Sequence, residues 1–201
     1  MKTTFETPGN FLYPVPAVMV SCRDDQGKPN IITVAWAGTV CSDPPMLSIS
    51  VRKSRYSHEL IRKTGVFVVN LTTEKLVKAA DFCGVRSGRE VDKVRECGLT
   101  PGKGKVLDCP TIEESPVSLE CRVKQVLELG SHDLFLAEVV CVQAEDRFLD
   151  EKGRFHMEEA GLTAYSHGTY YSLGHALGTF GFSVKKTVKK QKGRKHRKGK
   201  S

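Results

Sequence analysis

Residues 46–52 read Met46-Leu47-Ser48-Ile49-Ser50-Val51-Arg52, a regular alternation of apolar and polar side chains. Successive side chains of a β-strand point to opposite faces, so this alternation predicts a strand with one apolar face in the core. The opposite face carries small hydroxyls and one guanidinium, and it faces either solvent or a ligand. The pattern by itself does not choose between the two.

Further strands are predicted on both sides of this one. Residues 15–22 and 30–36 are rich in β-branched side chains and flank a polar turn, as the two strands of a hairpin do. Residues 117–124 alternate in the same way, and residues 134–142 return as a largely apolar strand. Residues 85–116 are rich in Gly and Pro and are predicted as a loop region.

Two short helices and one buried strand are predicted between these strands. Residues 54–63 and 73–83 carry helix signals, with Ser54 and Ser57 as candidate caps of the first helix. Residues 66–71 form a continuous apolar, β-branched run. Several strands joined by turns and short helices favour a mainly β fold, a closed antiparallel barrel with short helices, over a βαβ array.

Residues 52–58, which read Arg52-Lys53-Ser54-Arg55-Tyr56-Ser57-His58, join a predicted strand to a predicted helix. They place three cations and two hydroxyls beside the free amides of a helix start. The helix dipole and these amides attract anions, and guanidinium groups add charge-assisted hydrogen bonds. The segment suits a phosphate dianion, and the alternative is a solvated basic turn with a capping serine.

Trp36 is the only tryptophan of the chain and ends a predicted strand just before a predicted loop at residues 38–43. Its indole is suited to stacking on a planar ring. The alternative is a core position, because burying so large an apolar surface is favourable without any ligand.

Several classes of site are excluded by the motifs. The glycines form neither the G-x-G-x-x-G of dinucleotide-binding folds nor a P-loop. Cys83, Cys97 and Cys109 are too widely spaced for a zinc knuckle, and His167 and His175 are eight residues apart, so no metal site is predicted. We interpret the thiols as small buried hydrophobes. No local signature marks a nucleophile, and we predict no catalytic side chain.

Length and cysteine usage limit the class of protein. The chain has 201 residues, enough for about one compact domain. Its seven cysteines are an odd number without a C-x-x-C pair, which argues against a disulfide framework. No apolar run has the length of a membrane span, and the N-terminus lacks the pattern of a signal peptide. We expect a cytoplasmic protein with reduced thiols and no membrane partner.

The formal charge of +8 comes from the C-terminus. Residues 185–201 hold ten Lys or Arg and no Asp or Glu, whereas residues 1–184 have a net charge of −2. We predict a folded domain over residues 1–184 and a disordered basic tail over residues 185–201. An alternative function is nonspecific nucleic-acid binding, in which the tail contacts phosphates without aromatic side chains for base stacking.

Several segments, taken together and in order, carry a resemblance to a known family. They are NIITVAW at 30–36, SDPP at 42–45, RYSHELI at 55–61, GVFVVN at 65–70, YYSLG at 170–174 and FGFS at 180–183. In order and spacing they resemble the flavin reductase-like family of FMN-binding split barrels, over roughly residues 10–184.

The resemblance implies a six-stranded antiparallel split barrel, a homodimer, and non-covalent FMN near the subunit interface, with FAD as an alternative cofactor. It implies ring contacts from Thr33, Ala35 and Trp36 with the main chain at Cys41 and Ser42, and phosphate contacts from Ser50, Arg52, Arg55, Ser57 and His58. It further implies Asn30, Asn70, His167 and Tyr170 near the site. Many relatives have threonine where this chain has Ser57, and the hydroxyl is retained.

A bound flavin performs the electron transfer itself while the protein orients it and tunes its potential. The resemblance therefore implies an oxidoreductase that passes electrons from NADH, NADPH or a reduced partner, through FMN, to free flavin or another acceptor. The alternative within the family is a flavoredoxin-type electron carrier without NAD(P)H activity of its own.

Overall fold

The structure is a computed structural model that describes residues 1–185. Except for Lys185, the predicted basic tail lies outside the described residues, and so does the nucleic-acid alternative that depends on it. Among the residues that are described, no helix is long and apolar enough to cross a membrane.

The described chain contains twelve strands and three α-helices. The strands are β1 (Val15–Pro16), β2 (Val18–Arg23), β3 (Pro29–Val34), β4 (Ala37–Ser42), β5 (Pro45–Arg52), β6 (Val66–Leu71), β7 (Pro101–Lys103), β8 (Pro110–Ile112), β9 (Val117–Glu128), β10 (His132–Ala144), β11 (Thr163–Ser166) and β12 (Thr169–Ser172). The helices are α1 (Tyr56–Thr64), α2 (Val77–Val85) and α3 (Lys93–Cys97), and a 3₁₀ turn at Glu74–Leu76 leads into α2.

A seven-stranded antiparallel sheet in the order β3-β2-β6-β9-β10-β5-β4 forms the split barrel. Strand β5 alternates as predicted, with Leu47, Ile49 and Val51 buried and the small hydroxyls and Arg52 on the other face. The hairpin β2–β3 and the strand β6 are also confirmed. The prediction of a mainly β, antiparallel split barrel is therefore confirmed.

The prediction of six strands is wrong by one, because residues 38–43 do not form a loop. Residues 37–42 form β4, the edge strand, which pairs with β5 from Ala37 opposite Ile49 to Ser42 opposite Pro45. Gly38 and the Asp43-Pro44-Pro45 turn have low β-strand propensity, so propensity alone predicts a loop at this position. The hydrogen bonds to β5 outweigh the poor local propensity.

The predicted loop region at residues 85–116 also contains regular structure, namely α3, β7 and β8. This region covers the face of β9 that the alternation assigned to solvent. Ser118 and Glu120 on that face are buried, and Glu120 accepts backbone N–H bonds from Lys105, Val106 and Leu107. The first half of β9 is consequently buried on both faces.

Helix α1 starts two residues later than predicted, and neither serine caps it. Arg55 is the N-cap residue and its side chain makes no capping hydrogen bond. The Ser57 hydroxyl instead accepts a hydrogen bond of 2.7 Å from the Asn30 side chain. At the other end, Gly65 adopts φ +70°, a left-handed conformation that glycine tolerates, and its N–H donates to the Ile61 carbonyl.

The main core lies inside the barrel, under α1. Phe67, Phe135, Ile49 and Ile61 are fully buried there. The barrel is split between β3 and β5, and one main-chain hydrogen bond of 2.8 Å, from Ser50 N to Trp36 O, joins the chain after β3 to β5. The surface along this split carries the candidate site.

Candidate functional site

A groove follows the split and consists of three cavities. We call them the anion cavity (about 330 Å³), the middle cavity (about 150 Å³) and the aromatic cavity (about 710 Å³). The anion and middle cavities share Ile32, Arg52 and Arg55, and the middle and aromatic cavities share Ala35, Trp36 and Ser50. The shared residues fix the order of the cavities along one continuous groove.

The anion cavity is cationic and rich in hydroxyls. Its lining contains the basic residues Arg52, Arg55, Arg86 and Lys93 and the hydroxyl residues Ser54, Ser57 and Ser87, and the described lining includes no carboxylate. It lies at the N-terminus of α1, where the helix dipole favours an anion. The anion cavity therefore contains the segment predicted to bind phosphate and three further polar residues, Arg86 and Ser87 from the loop after α2 and Lys93 from α3.

Lys93 is the most deeply buried cation of this cavity. The residue is 5% exposed, and its ammonium donates to the carbonyls of Ile31 (2.7 Å) and Cys83 (2.8 Å). An ammonium has three donors, so one remains for a ligand. Burial lowers the pKa of Lys93, and a bound anion would favour its charged form again.

The wall between β3 and α1 is held by a chain of buried contacts. Asn30 is 6% exposed and Ser57 is 2% exposed, and the two side chains are hydrogen-bonded to each other. Gly88 lies against this pair, and a Cβ at this position would overlap Oδ1 of Asn30. The backbone of the loop after α2 can approach Asn30 this closely only because residue 88 is glycine.

The aromatic cavity has a different character. Trp36 and Ala35 line it from the chain after β3, and Phe11 and Leu12 line it from the N-terminal segment. Ser48 and Ser50 form the floor on β5. Trp36 is half-buried, so the indole packs on the core and still presents a surface to the groove. This end suits an extended planar ring with polar edges.

The lining of the middle cavity includes Thr33 and His132, but the Thr33 hydroxyl donates to the Ala80 carbonyl of α2. His132 lies directly opposite Arg52 in the β10–β5 ladder. Burial and the neighbouring Arg52 charge lower the pKa of His132. Its imidazole is therefore held towards the neutral form, in which it can both donate and accept a hydrogen bond.

His58 belongs to the predicted phosphate contacts, but the structure turns it away from the groove. Its imidazole contacts the carboxylate of Asp133 at 2.8 Å and stacks edge-on against Phe135. Asp133 is fully buried, which by itself raises its pKa, yet His58 and Lys53 outweigh burial and lower it. The pair anchors the first turn of α1 to β10.

Asn70 is also placed in the core and not in the groove. Its amide donates to Met19 O (3.0 Å) and Ser21 Oγ (2.9 Å) and accepts from Ile112 N (3.0 Å) and Ser118 Oγ (2.8 Å). These bonds tie β2, β6, β8 and β9 together. Asn70 therefore acts in holding the barrel.

The remaining predicted residues lie near the aromatic end. Cys41 and Ser42 are on β4, beyond Gly38, which lines the aromatic cavity. His167 reaches this end through Tyr13, whose ring lies 4.5 Å from the imidazole and 6.1 Å from Trp36, centroid to centroid. Cys41, Ser42 and His167 are not among the residues that line the aromatic cavity.

Tyr170 is on β12, opposite Tyr165 of β11. Its ring packs edge-on against Tyr165 with 5.3 Å between centroids, and its hydroxyl donates to Asp81 at 3.4 Å. Burial, and next the Asp81 charge, raise the pKa of Tyr170 to about 12. Its phenol therefore stays protonated at neutral pH.

The groove residues that the sequence prediction missed include four with charged or polar side chains, namely Arg86, Ser87, Lys93 and His132. Three of them lie in the region predicted as loop, and the periodicity there gives no signal for a groove. Among residues 1–185, no group of three or more His, Cys, Asp or Glu side chains is arranged to hold a metal ion.

Comparison with known proteins gives a family. Residues 10–174 match the flavin reductase like domain, which is most of the chain. The chain belongs to the flavin reductase-like family of FMN-binding split barrels. The groove described above is thus a groove of a flavin-binding fold.

Individual relatives support the family at the levels of sequence and fold. An uncharacterized protein of Archaeoglobus fulgidus is 34% identical over 142 residues, which are 71% of this chain and 79% of that protein. Flavoredoxin of Desulfovibrio vulgaris (Miyazaki F) superposes with a TM-score of 0.85 at 29% identity, covering 92% of this chain and 100% of that one. An FMN-binding protein of Thermus thermophilus, solved with bound 1-cyclohex-2-enone, superposes with a TM-score of 0.71 at 28% identity, covering 86% and 94%.

Proposed function

We propose that this chain binds FMN non-covalently in the groove and passes electrons from NADH, NADPH or a reduced partner to free flavin or another acceptor. The observation that carries this proposal is the continuity of a cationic cavity at one end with an aromatic cavity at the other. FMN has a matching arrangement, with an anionic phosphate at one end and a planar aromatic ring at the other. The structural likeness to an FMN-binding protein supports the choice of FMN.

The residues at the anion cavity fit a phosphate dianion. Arg52, Arg55 and Arg86 supply guanidinium groups, and Lys93 supplies a buried ammonium with one free donor. Ser57 adds a hydroxyl whose position is fixed by Asn30. Charge-assisted hydrogen bonds of this kind are about twice as strong as neutral ones.

The residues at the other end fit the flavin ring. Trp36 offers an aromatic surface, Ala35 and Gly38 leave room beside it, and Ser48 and Ser50 offer hydroxyls at the edge. A bound flavin would accept and release electrons. The protein orients the ring, excludes water from one face and tunes its surroundings with fixed polar groups.

The first test is the absorption spectrum of the purified protein, followed by chromatography of the flavin released on denaturation. We expect a yellow protein that releases FMN. Arg55→Ala and Ser57→Ala should weaken FMN binding about tenfold or more, because each removes a hydrogen bond to charged phosphate. Arg122→Ala is the matched control, since Arg122 is exposed on β9. Unchanged FMN affinity in both groove variants would contradict the site.

A flavoredoxin-type electron carrier is the second candidate, and the fold likeness to flavoredoxin favours it. Rapid mixing separates the two candidates. Loss of the absorbance of the bound flavin within seconds of mixing with NADH or NADPH supports the reductase. Reduction only by a protein donor, with no response to either pyridine nucleotide, supports the carrier.

We also propose a homodimer, as the family resemblance implies. Phe11 and Leu12 at the aromatic cavity are 58% and 86% exposed, and Leu177 and Phe180 of the C-terminal segment are 87% and 107% exposed. Apolar surface of this kind is costly in water and is covered in many assemblies. Light scattering with size-exclusion chromatography tests the proposal, and a mass near 22.2 kDa at micromolar concentration would contradict it.

A further inference from the structure

The segment at residues 52–58 has contacts on two sides. Five of its residues line the anion cavity, namely Arg52, Ser54, Arg55, Tyr56 and Ser57. The other two, Lys53 and His58, are outside this lining and contact the carboxylate of Asp133 on β10 instead. The segment that forms the proposed phosphate site is therefore held to the sheet by residues that do not line the cavity.

Asp133 is the buried member of a small group of charged side chains. It is fully buried, and its Oδ2 lies 2.8 Å from Nε2 of His58 and 3.2 Å from the Arg62 guanidinium, while its Oδ1 lies 3.3 Å from the Lys53 ammonium. Glu128 contacts the same two cations, Arg62 at 2.9 Å and Lys53 at 3.6 Å, but its side chain is 57% exposed. An exposed ion pair restricts its partners little, whereas a buried carboxylate keeps its partners because leaving it unpaired is costly. Asp133 is therefore the group that fixes the positions of Lys53 and His58.

Strand β10, which carries Asp133, is held on both sides. It lies between β9 and β5 in the sheet, and Asp133 pairs with a residue of each neighbour. Lys53 precedes Arg55, the N-cap residue of α1, and His58 follows it within the first turn of the helix. Contacts with one buried carboxylate on both sides of Arg55 restrict the backbone between them. The positions of Arg55 and of the first amides of α1 are thus set by the sheet.

The segment also brings like charges together. Arg52 and Arg55 line the anion cavity, Lys53 lies between them in sequence, and Arg62 follows on α1. Like charges at short range repel one another, and the repulsion is strongest where water is excluded. The carboxylate of Asp133 offsets this repulsion from outside the cavity lining. The cations can therefore stay close together without a negative group beside the phosphate.

We propose that Asp133 is a positioning residue for the phosphate of FMN. Asp133 is not in the lining of the anion cavity, and it acts through Lys53 and His58. By holding these two residues it keeps the segment in the conformation that presents Arg55 and Ser57 to the anion. Donors that are already ordered lose less conformational entropy when the ligand binds, so a fixed segment binds phosphate more tightly. The inference rests on the proposed function, because it concerns the phosphate end of that same site.

The charge of Asp133 and its positioning role change FMN affinity in opposite directions. A carboxylate near the anion cavity repels a phosphate, so removal of its charge alone would strengthen FMN binding. Loss of the fixed segment would weaken FMN binding. Riboflavin lacks the phosphate, so its affinity reports damage to the rest of the groove. The sign of the change for FMN, compared with riboflavin, thus distinguishes positioning from charge and from general damage.

The first test is Asp133→Asn in the full chain, with FMN and riboflavin titrated by quenching of flavin fluorescence. We expect FMN binding to weaken about tenfold and riboflavin binding to stay within about twofold, because a neutral amide pairs less strongly with Lys53 and Arg62. Glu128→Gln is the matched control, since it removes a charge from the same two cations at an exposed position. FMN affinity should not fall in this control. Unchanged or stronger FMN binding in Asp133→Asn, equal weakening of both flavins, or the same loss in Glu128→Gln would overturn the inference.

Two variants of His58 keep the inference testable if Asp133→Asn does not fold. His58→Gln retains an N–H that can donate to the carboxylate, whereas His58→Ala does not. We expect the ratio of FMN affinity to riboflavin affinity to fall about fivefold in His58→Ala and to recover in His58→Gln. If the native chain binds FMN more tightly than riboflavin, an unchanged ratio in His58→Ala or no recovery in His58→Gln would overturn the inference alone. A native chain that binds neither flavin, or binds both equally, would overturn the proposed phosphate site and this inference with it.

Discussion

The two ends of the groove are built in different ways. At the anion cavity, Asn30, Ser57 and Lys93 are between 2% and 6% exposed, and each is hydrogen-bonded within the fold. At the aromatic cavity, Phe11 is 58% exposed and Leu12 is 86% exposed. The inner wall of the cationic end is part of the core, although Arg52 and Arg86 at the same end are exposed, whereas the aromatic end has one wall made of an exposed terminal segment. Under the proposed function, affinity for phosphate would depend on buried groups of the fold, and affinity for a ring would depend on what covers the aromatic end.

The largest expected effect comes from breaking the cationic end at Lys93. Lys93→Met removes the buried ammonium, and we expect FMN affinity to fall about 100-fold, the loss of a strong charge-assisted hydrogen bond. Riboflavin lacks the phosphate that the ammonium would bind. Its affinity should therefore fall by less than about threefold, which corresponds to well under 1.4 kcal/mol. Titrations of both flavins by fluorescence give the ratio.

The control for Lys93→Met is Lys78→Met, because Lys78 is exposed on α2. The variant also leaves the carbonyls of Ile31 and Cys83 without a partner, which costs about 1–3 kcal/mol of stability for each buried group. Denaturant unfolding should record that loss. Equal weakening of FMN and riboflavin would show that the variant damages the whole groove and that the cationic end has no separate role.

A second prediction separates binding from stability at a site away from the groove. Glu120→Gln replaces a buried carboxylate that accepts three backbone N–H bonds from residues 105–107. We expect a loss of about 2 kcal/mol in the free energy of unfolding, because the acceptor loses its charge and one of its two oxygens becomes an NH2 group that cannot accept an N–H bond. FMN affinity of the folded variant should stay within twofold. A comparable loss of FMN affinity would mean that ligand binding in the groove depends on the overall stability of the fold.

The pH dependence of this effect has a definite sign. Burial by itself raises the pKa of Glu120, but the N–H bonds from Leu107, Lys105 and Val106 outweigh burial and lower it below its ordinary value of 4.5. The carboxylate therefore stabilises the fold fully above pH 4.5, and this contribution is lost as the pH falls through the lowered pKa. The stability difference between the native chain and Glu120→Gln should shrink in that acidic range.

The residues of the groove differ in how far the sequence predicts them. Strand β5 brings Ser50 and Arg52 to the groove through simple alternation, and the turn into α1 adds Arg55 and Ser57. These residues are close to one another in the chain, so local reasoning reaches them. Lys93 enters the same cavity from α3, because that helix packs over β3 some sixty residues away in sequence.

The family resemblance predicts His58 and Asn70 at the site, and the structure places their side chains in contacts within the fold. Their residue types suit a ligand site, yet each finds its partners inside the fold, Asp133 for His58 and the β2, β8 and β9 strands for Asn70. A sequence gives the chemistry of a side chain but not which face of the element it occupies in a closed barrel. Buried polar groups are nearly always paired, and only the tertiary structure shows with what.

The aromatic end is tested by Trp36→Ala. We expect FMN and riboflavin to weaken equally, by about tenfold, because the proposed site places the indole against a ring that both flavins share, and an aromatic pair contributes about 0.5–1.5 kcal/mol. Trp36→Phe should recover part of the loss. Quenching titrations measure both flavins, and a loss confined to FMN would place Trp36 at the phosphate instead.

The smallest effect is expected at Phe11. Its ring is 58% exposed and contacts Phe5 and His167, with centroids 5.3 Å and 5.7 Å away, so it adds little fixed surface to the cavity in a single chain. Phe11→Ala should weaken FMN less than threefold where the chain is monomeric, since a half-exposed side chain gives up little apolar burial. If a second copy covers this end, the same variant should have a larger effect at protein concentrations where dimers form. Titrations of FMN at two protein concentrations therefore measure how much of the aromatic end one chain supplies. A tenfold loss of FMN affinity in the monomeric Phe11→Ala variant would show that this end, like the cationic one, is complete within a single chain.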